Sequence, residues 1–356
     1  MIAPERPERP ERPGRPERIV IVTDAWAPQV NGVVRTLGAV RAELEEMGRR
    51  VLVIAPDAFR SVPCPTYPEI RLAWASAAKV GAMIDAFGAD AIHIATEGPL
   101  CLAARRWCRA RGLPFTTAYH TQFPDYVAAR TPLPASLVWR YIRWFHAPGS
   151  GVLAATPTIA ATLRAHGLPR VRPWGRGVDR KLFLPDGPLD QAILALPRPI
   201  RLYVGRVAVE KNLEAFLEIA SPGAKVIVGD GPALASLAHR FPDAHFLGAR
   251  SGEALAAAYR SADVFVFPSR TDTFGLVMAE ALACGLPVAA YPVTGPVDVI
   301  SEEVGAMDVD LEVAVARALT RDREVCAAYA RRFDWRASAE QFLAALAPLG
   351  RDRLAA

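Results

Sequence analysis

No run of about 18 apolar residues occurs in the 356-residue sequence, so no transmembrane helix is expected. The opening residues lack the apolar core of a secretory signal. Cysteine is scarce: five residues, an odd number, with no C-x-x-C spacing. A zinc ribbon and a disulfide framework are both poorly supported, and free thiols in a reducing compartment are expected. No G-x-G-x-x-G follows the first strand, so a nicotinamide-dinucleotide site is not indicated. No Asp-x-Asp pair stands where it could serve a metal-bound diphosphate. Residues 1–17 repeat Pro-Glu-Arg without a core-forming apolar residue, so a disordered tail with no assigned function is expected.

What is present is a chain of two-domain length, 51% hydrophobic and rich in proline. The net charge of +5 is unevenly spread. From Arg18 to Arg180 there are 20 Lys/Arg against 11 Asp/Glu; from Lys181 onward the balance is 18 against 22. A basic first half beside an acidic second half suits contact between the first half and an anionic surface.

Strand and helix patterns alternate along the chain. Arg18-Ile-Val-Ile-Val-Thr23 reads as a buried strand, a helix follows from about Val33 to Met47, and Arg50–Ala55 is the next strand. Asn31-Gly32 stands at the helix start, where glycine allows close backbone approach by a ligand. Ala89–Ala95 is a strand leading into a helix from about Pro99, which carries Arg105, Arg106 and Arg109. A solvated face and an acidic-lipid contact are both open for these arginines. Phe115–His120 is a strand ending in His120, a position aimed at the crevice where parallel sheets bind ligands. Ala135–His146 is an aromatic helix with Arg140, Arg143 and Trp144, suited either to internal packing or to a bilayer interface. A Pro- and Gly-rich boundary follows. A second α/β segment starts at Pro199, with Arg206 and Lys211 bracketing its first strand end and Gly229-Asp230-Gly231 following its second.

The most informative stretch is Ser269 to Val288. DVFVFP (263–268) reads as a buried strand, Asp272 and Thr273 as helix-start residues, and Met278–Cys284 as a helix stopped by Gly285. Backbone amides at Gly275, Leu276 and Val277 would form an anion site at that terminus. Asp272 and Glu280 add two carboxylates beside it. A sugar nucleotide offers both complements, a diphosphate for amides and hydroxyls for acids. Arg206 and Lys211 have the chemistry to receive charge on a departing diphosphate.

Asp272, seven residues and then Glu280 resemble the E-x7-E signature of family-four retaining glycosyltransferases, with Asp in place of the first Glu. Other motifs follow in that family's order: the Asn31-Gly32 loop, His120 at a strand end, G-R-G-V-D (175–179), G-R-V-A-V-E-K-N (205–212) and G-D-G-P (229–232). The W-G-R-G-V-D and T-D-T-F-G variants resemble the glycolipid-forming and α-mannosyltransferase branches. The resemblance, over about residues 19–346, implies an α/β GT-B fold, two Rossmann-like domains facing across a cleft. Its implied division is an acceptor-side domain at 18–178, a linker at 179–198, a nucleotide-sugar domain at 199–332, and a helix at 333–350 crossing back to the first.

It further implies that Asn31, Gly32, Arg206, Lys211, Gly229, Asp230, Gly231, Asp272, Phe274, Gly275, Leu276, Val277 and Glu280 bind the donor, with Glu280 on the ribose. His120, Arg206, Lys211 and Asp272 would act at the reacting centre. No metal and no cofactor is required; the nucleotide sugar is a substrate. The expected donor is a UDP-hexose such as UDP-glucose or UDP-glucuronate, with GDP-mannose second. The expected acceptor is a membrane lipid such as diacylglycerol, reached from the inner face of the cytoplasmic membrane through Arg105, Arg106, Arg109, Arg140, Arg143 and Trp144. Two other readings stand beside it. A UDP-N-acetylhexosamine 2-epimerase can share this architecture. A nucleic-acid binder would use the basic half, but the arginines are scattered and no recognised binding module appears.

Overall fold

The computed structural model describes residues 16–29, 31–64, 67–122 and 134–350. The expected tail therefore lies outside the described residues except for its last two positions. So does the segment just beyond Gln122.

Two six-stranded sheets, wholly parallel, form the cores of two lobes. The first uses β1 (Arg18–Val22), β2 (Arg50–Ile54), β5 (Ala91–Ile94), β6 (Thr116–Tyr119), β7 (Gly151–Ala154) and β8 (Val171–Pro173), in the order β2-β1-β5-β6-β7-β8. Between β2 and β5 an antiparallel hairpin, β3 (Ser61–Cys64) with β4 (Tyr67–Ala73), stands apart from the sheet. The second lobe uses β9 (Arg201–Val204), β10 (Lys225–Val228), β11 (His245–Phe246), β12 (Val264–Phe267), β13 (Val288–Ala290) and β14 (Gly305–Met307), in the order β11-β10-β9-β12-β13-β14. This is the Rossmann strand order, which reverses between β9 and β12 and opens a crevice there.

Continuous apolar strands follow from burial on both sheet faces. In β1, Val20 and Val22 pack under helices Ala77–Phe87 and Pro99–Ala110, while Ile19 and Ile21 face helices Gly32–Glu46 and Trp335–Ala345. In the second lobe, Phe265 and Phe267 of β12 join one core layer, and Val264 and Val266 join the other. The helix Trp335–Ala345 lies against Gly32–Glu46, burying Ala339, Phe342 and Leu343 in the first lobe. All five cysteines are free thiols, four of them buried.

One helix start differs from its expectation. The helix after β12 is Leu276–Ala283, and Gly275 is its cap in the left-handed region at φ 79°. Asp272 and Thr273 are not helix-start residues. The turn at Gly275 intervenes, and a β-carbon there would come within 2.7 Å of Met278 Cε.

Candidate active site

The motif residues of the second lobe lie in loops at the carboxyl end of its sheet or in the helix that follows β12. After β9, Gly205 and Arg206 lead to Lys211, whose Nζ donates to Asp272 Oδ2 at 2.7 Å. After β10, Gly229–Gly231 packs backbone to backbone on the first of these turns. Val207 N donates to Asp230 O at 2.8 Å, and a β-carbon on Gly229 would lie 1.8 Å from Gly205 O. Glycine is required there by that approach. No side chain caps the helix Leu276–Ala283; Met278 N donates to Gly275 O at 3.0 Å, and the amides of Leu276 and Val277 remain available to an anion.

Glu280, one turn into that helix, is 2% exposed. Its Oε2 accepts from Tyr259 Oη at 3.0 Å, and its Oε1 pairs with Arg35. Burial raises its pKa above the usual carboxylate range, while the Arg35 guanidinium opposes the rise. Arg35 stands on Gly32–Glu46, so this ion pair bridges the lobes. A cavity of about 200 Å³ lies beside it, lined by Arg35, Leu276, Glu280, Trp335 and the Gly177–Asp179 segment.

The first lobe brings His120 to the same place. Immediately after β6, its carbonyl accepts from Thr273 Oγ1 at 2.8 Å. Two residues on, Gln122 Nε2 donates to Asp272 O at 2.8 Å. His120, Asp272 and Lys211 are thus gathered across the cleft. Burial, then the Arg176 guanidinium, holds His120 well below its ordinary pKa, so the imidazole is neutral. Gly32 is also at the cleft, where an added β-carbon would lie 3.9 Å from Leu276 Cδ1.

Several expected roles change. Asn31 caps its own helix: its side chain accepts from Val33 N and Val34 N at 3.0 Å each, so its carbonyl oxygen is already engaged. Phe274 is 7% exposed and meets Phe333 edge-on at 5.7 Å between centroids, so its ring belongs to the core. Arg105 is not a surface cation. It is 4% exposed, donates to Phe145 O at 2.9 Å and Trp144 O at 2.6 Å, and fastens Pro99–Ala110 to Ala135–His146. Helical spacing put it beside Arg109, but the packing of a second helix covered it. Arg106, Arg109, Arg140, Arg143 and Trp144 are exposed. Phe145, next to Trp144 in the chain, is buried.

Arg35, Tyr259 and Gln122 escaped the sequence reading. Arg35 and Gln122 act across 245 and 150 residues and Tyr259 across 21, and none belongs to a local motif. Arg176 lies in the G-R-G-V-D segment that the sequence singled out, but its burial at 6% exposure did not show.

Comparison with known proteins shows the family and the fold. Residues 30–182 match the family described as Glycosyltransferase Family 4, and residues 198–321 match Glycosyl transferases group 1. A GDP-mannose-dependent alpha-mannosyltransferase of Mycobacterium tuberculosis is 34% identical over 88% of this chain and 91% of its own. The sulfoquinovosyl transferase SQD2 of Arabidopsis thaliana is 32% identical over 85% of this chain and 69% of its own. In fold, a sucrose-phosphate synthase of Thermosynechococcus elongatus superposes with a TM-score of 0.74 at 23% identity, covering 92% of this chain and 97% of that one. With both lobes matched and a relative aligned along nearly the whole chain, this protein belongs to the family-four glycosyltransferases of GT-B fold and is a hexosyltransferase that uses a nucleotide sugar.

Proposed function

We propose that the protein transfers mannose from GDP-mannose, with retention at the anomeric carbon, to a lipid hydroxyl at an anionic membrane surface. The observation that carries the site assignment is the uncapped amide terminus at Leu276, with Lys211 and Asp272 on one side and the buried Glu280 on the other. The diphosphate lies on those amides, with Arg206 and Lys211 taking up the charge that builds as the glycosidic bond breaks. Lys211 keeps one donor on Asp272 and has two more for phosphate. Glu280 accepts the ribose hydroxyls. Asp272 and the His120 imidazole orient the hexose. The acceptor hydroxyl attacks from the leaving-group side and the departing diphosphate takes its proton, so no protein nucleophile is used.

The 34% identity to a GDP-mannose-dependent enzyme moves that donor ahead of the UDP-hexose expected first. The lipid acceptor is supported by the exposed Arg106, Arg109, Arg140, Arg143 and Trp144 on two helices that Arg105 ties together. Nearby in sequence, the hairpin presents Trp74 at 85% and Val62 at 54% exposure, beside Arg60 and Lys79. Aromatic and cationic groups together suit a headgroup layer. Among the described residues no helix is long and apolar enough to cross a membrane.

The test is incubation with GDP-mannose, UDP-glucose or UDP-glucuronate, each with diacylglycerol or a total lipid extract, with and without chelator, followed by mass spectrometry. A mannosylated lipid formed equally with chelator is expected. A hexosylated lipid from a UDP-sugar alone overturns the donor. Isomerised sugar nucleotide formed without lipid overturns the transfer reaction.

A further inference from the structure

Arg176 follows Trp174-Gly175 on the strap between the lobes and is almost wholly buried. No carboxylate accompanies it among the described residues. Its Nη1 donates to Trp174 O at 2.6 Å and Gly175 O at 3.1 Å, and its guanidinium carbon lies 4.4 Å from the centre of the Trp174 ring. Desolvation alone brings the guanidinium down to about 9, so it is still a cation at neutral pH. An unpaired buried cation is costly and calls for a reason. The remaining nitrogen, Nη2, faces His120 Nδ1 at 3.5 Å, the outer limit of a hydrogen bond.

A guanidinium has only donors, so the Nδ1 atom that faces it must present a lone pair. The imidazole proton then sits on Nε2. That nitrogen is buried and finds no hydrogen-bond partner among the described residues. A buried donor without an acceptor is rare in a finished structure, and at the edge of a substrate cleft it points to a ligand oxygen. The Trp174 ring, edge-on with centroids 5.4 Å apart, holds the imidazole plane. The other titratable groups that act on His120 are His93 of β5 and His146 at the end of its helix, and both oppose a second proton, as Arg176 does.

We propose that Arg176 is a positioning residue for glycosyl transfer: it locks His120 as the neutral Nε2–H tautomer, which gives a hydrogen bond to an oxygen of the bound donor sugar and does not act as a base. The sugar contact rests on the reading of the cleft as the donor site; the tautomer does not. Arg176 orders this imidazole through Nη2 while its other contacts hold the strap.

The test uses the full chain with 15N-labelled histidine, of which there are six. In the wild type, the His120 signals should show a proton on Nε2 and no titration between about pH 5.5 and 8.5, because the pKa of a free imidazole near 6.5 is suppressed. Arg176→Met should give mixed tautomers and lower kcat about tenfold, with donor KM nearly unchanged, the size expected for one misdirected hydrogen bond. Arg176→Lys, which keeps a donor, should recover most of the loss. Should the Met variant fail to fold, two His120 substitutions carry the same question. His120→Gln places an amide nitrogen near Nε2 and should retain more turnover than His120→Asn, which mimics Nδ1. A wild-type proton on Nδ1, an unmoved tautomer in Arg176→Met, or equal losses in the Gln and Asn variants overturns the proposal. A tautomer that shifts with no loss of turnover overturns the sugar contact, and with it the placement of the donor at His120.

Discussion

The carboxyl ends of the two sheets meet at one cleft but bring different chemistry to it. The first lobe brings His120, held by Arg176, and behind it two buried imidazoles with their own partners: His93 Nδ1 with Thr116 Oγ1 at 2.9 Å, and His146 with Thr117 and Glu97. Burial pushes His93 down to about 3, and His120 well below its ordinary value, so both are neutral. The second lobe offers charge-pairing groups, with Lys211 paired to Asp272 and Glu280 meeting Arg35 from across the cleft. In the proposed reaction the contrast separates two tasks. Fixed charge belongs where a diphosphate departs, since preorganised donors stabilise charge as it develops. Neutral donors and acceptors belong where sugar hydroxyls must be oriented without attracting the wrong charge.

The largest effect expected from this division is at Lys211. Lys211→Ala should lower kcat by about 10²–10³, the range for losing one preorganised donor at a developing anion. Nucleotide affinity by calorimetry should change far less. A loss of affinity as large as the loss of turnover would remove Lys211 from the leaving-group role.

Glu280 comes next. Glu280→Gln should weaken nucleotide binding by roughly 1.5–3 kcal/mol, the worth of hydrogen bonds to a charged group. Because burial raises the Glu280 pKa, wild-type donor affinity should fall as pH drops through that raised value, and the variant should lack this step. Unchanged affinity would place the ribose elsewhere and dissolve the ionic half of the comparison.

The neutral half can be tested by acid. His93 takes up a proton in the unfolded chain below pH 6.5, but in the folded lobe only near 3. Its contribution is therefore fully present above the unfolded value and is lost as pH falls, by about 2 kcal/mol at pH 5. Denaturant titrations at pH 7.5 and 5 should show the loss, and His93→Gln should flatten the slope by about one proton. A wild-type stability that does not depend on pH would mean that His93 is not held neutral.

The smallest effect concerns the basic outer face. Replacing Arg106 and Arg109 with Ser should reduce flotation on anionic vesicles by about 1 kcal/mol per charge. Arg105→Ala should instead lower thermal stability, because its guanidinium satisfies two carbonyls between packed helices. Equal flotation of the wild type on neutral vesicles would end the electrostatic account.

Much of the second lobe was legible because its site is local. Asp272 and Glu280 sit in one strand-turn-helix, and Gly205, Arg206 and Lys211 lie within seven consecutive residues. A loop at the end of a parallel strand presents such neighbours together in almost any Rossmann lobe. The helix start was misread because Asp272 and Thr273 have cap-forming side chains, whereas the turn depends on the left-handed conformation of Gly275. The hairpin β3–β4 went unread, as Pro63 in its first strand obscures the pattern.

Alternating apolar strands and helices were enough to determine two parallel-sheet lobes, since the period of a pattern decides which face of each element is buried. Ordered motifs then identified the family. The pairing of Arg35 with Glu280, the withdrawal of Arg105 and Phe274 into packing, and the placement of Arg176 behind His120 were decided only when the lobes came together. Burial and charge pairing belong to neighbours in space, and these partners are 39 to 245 residues apart in the chain, so no local pattern encodes them.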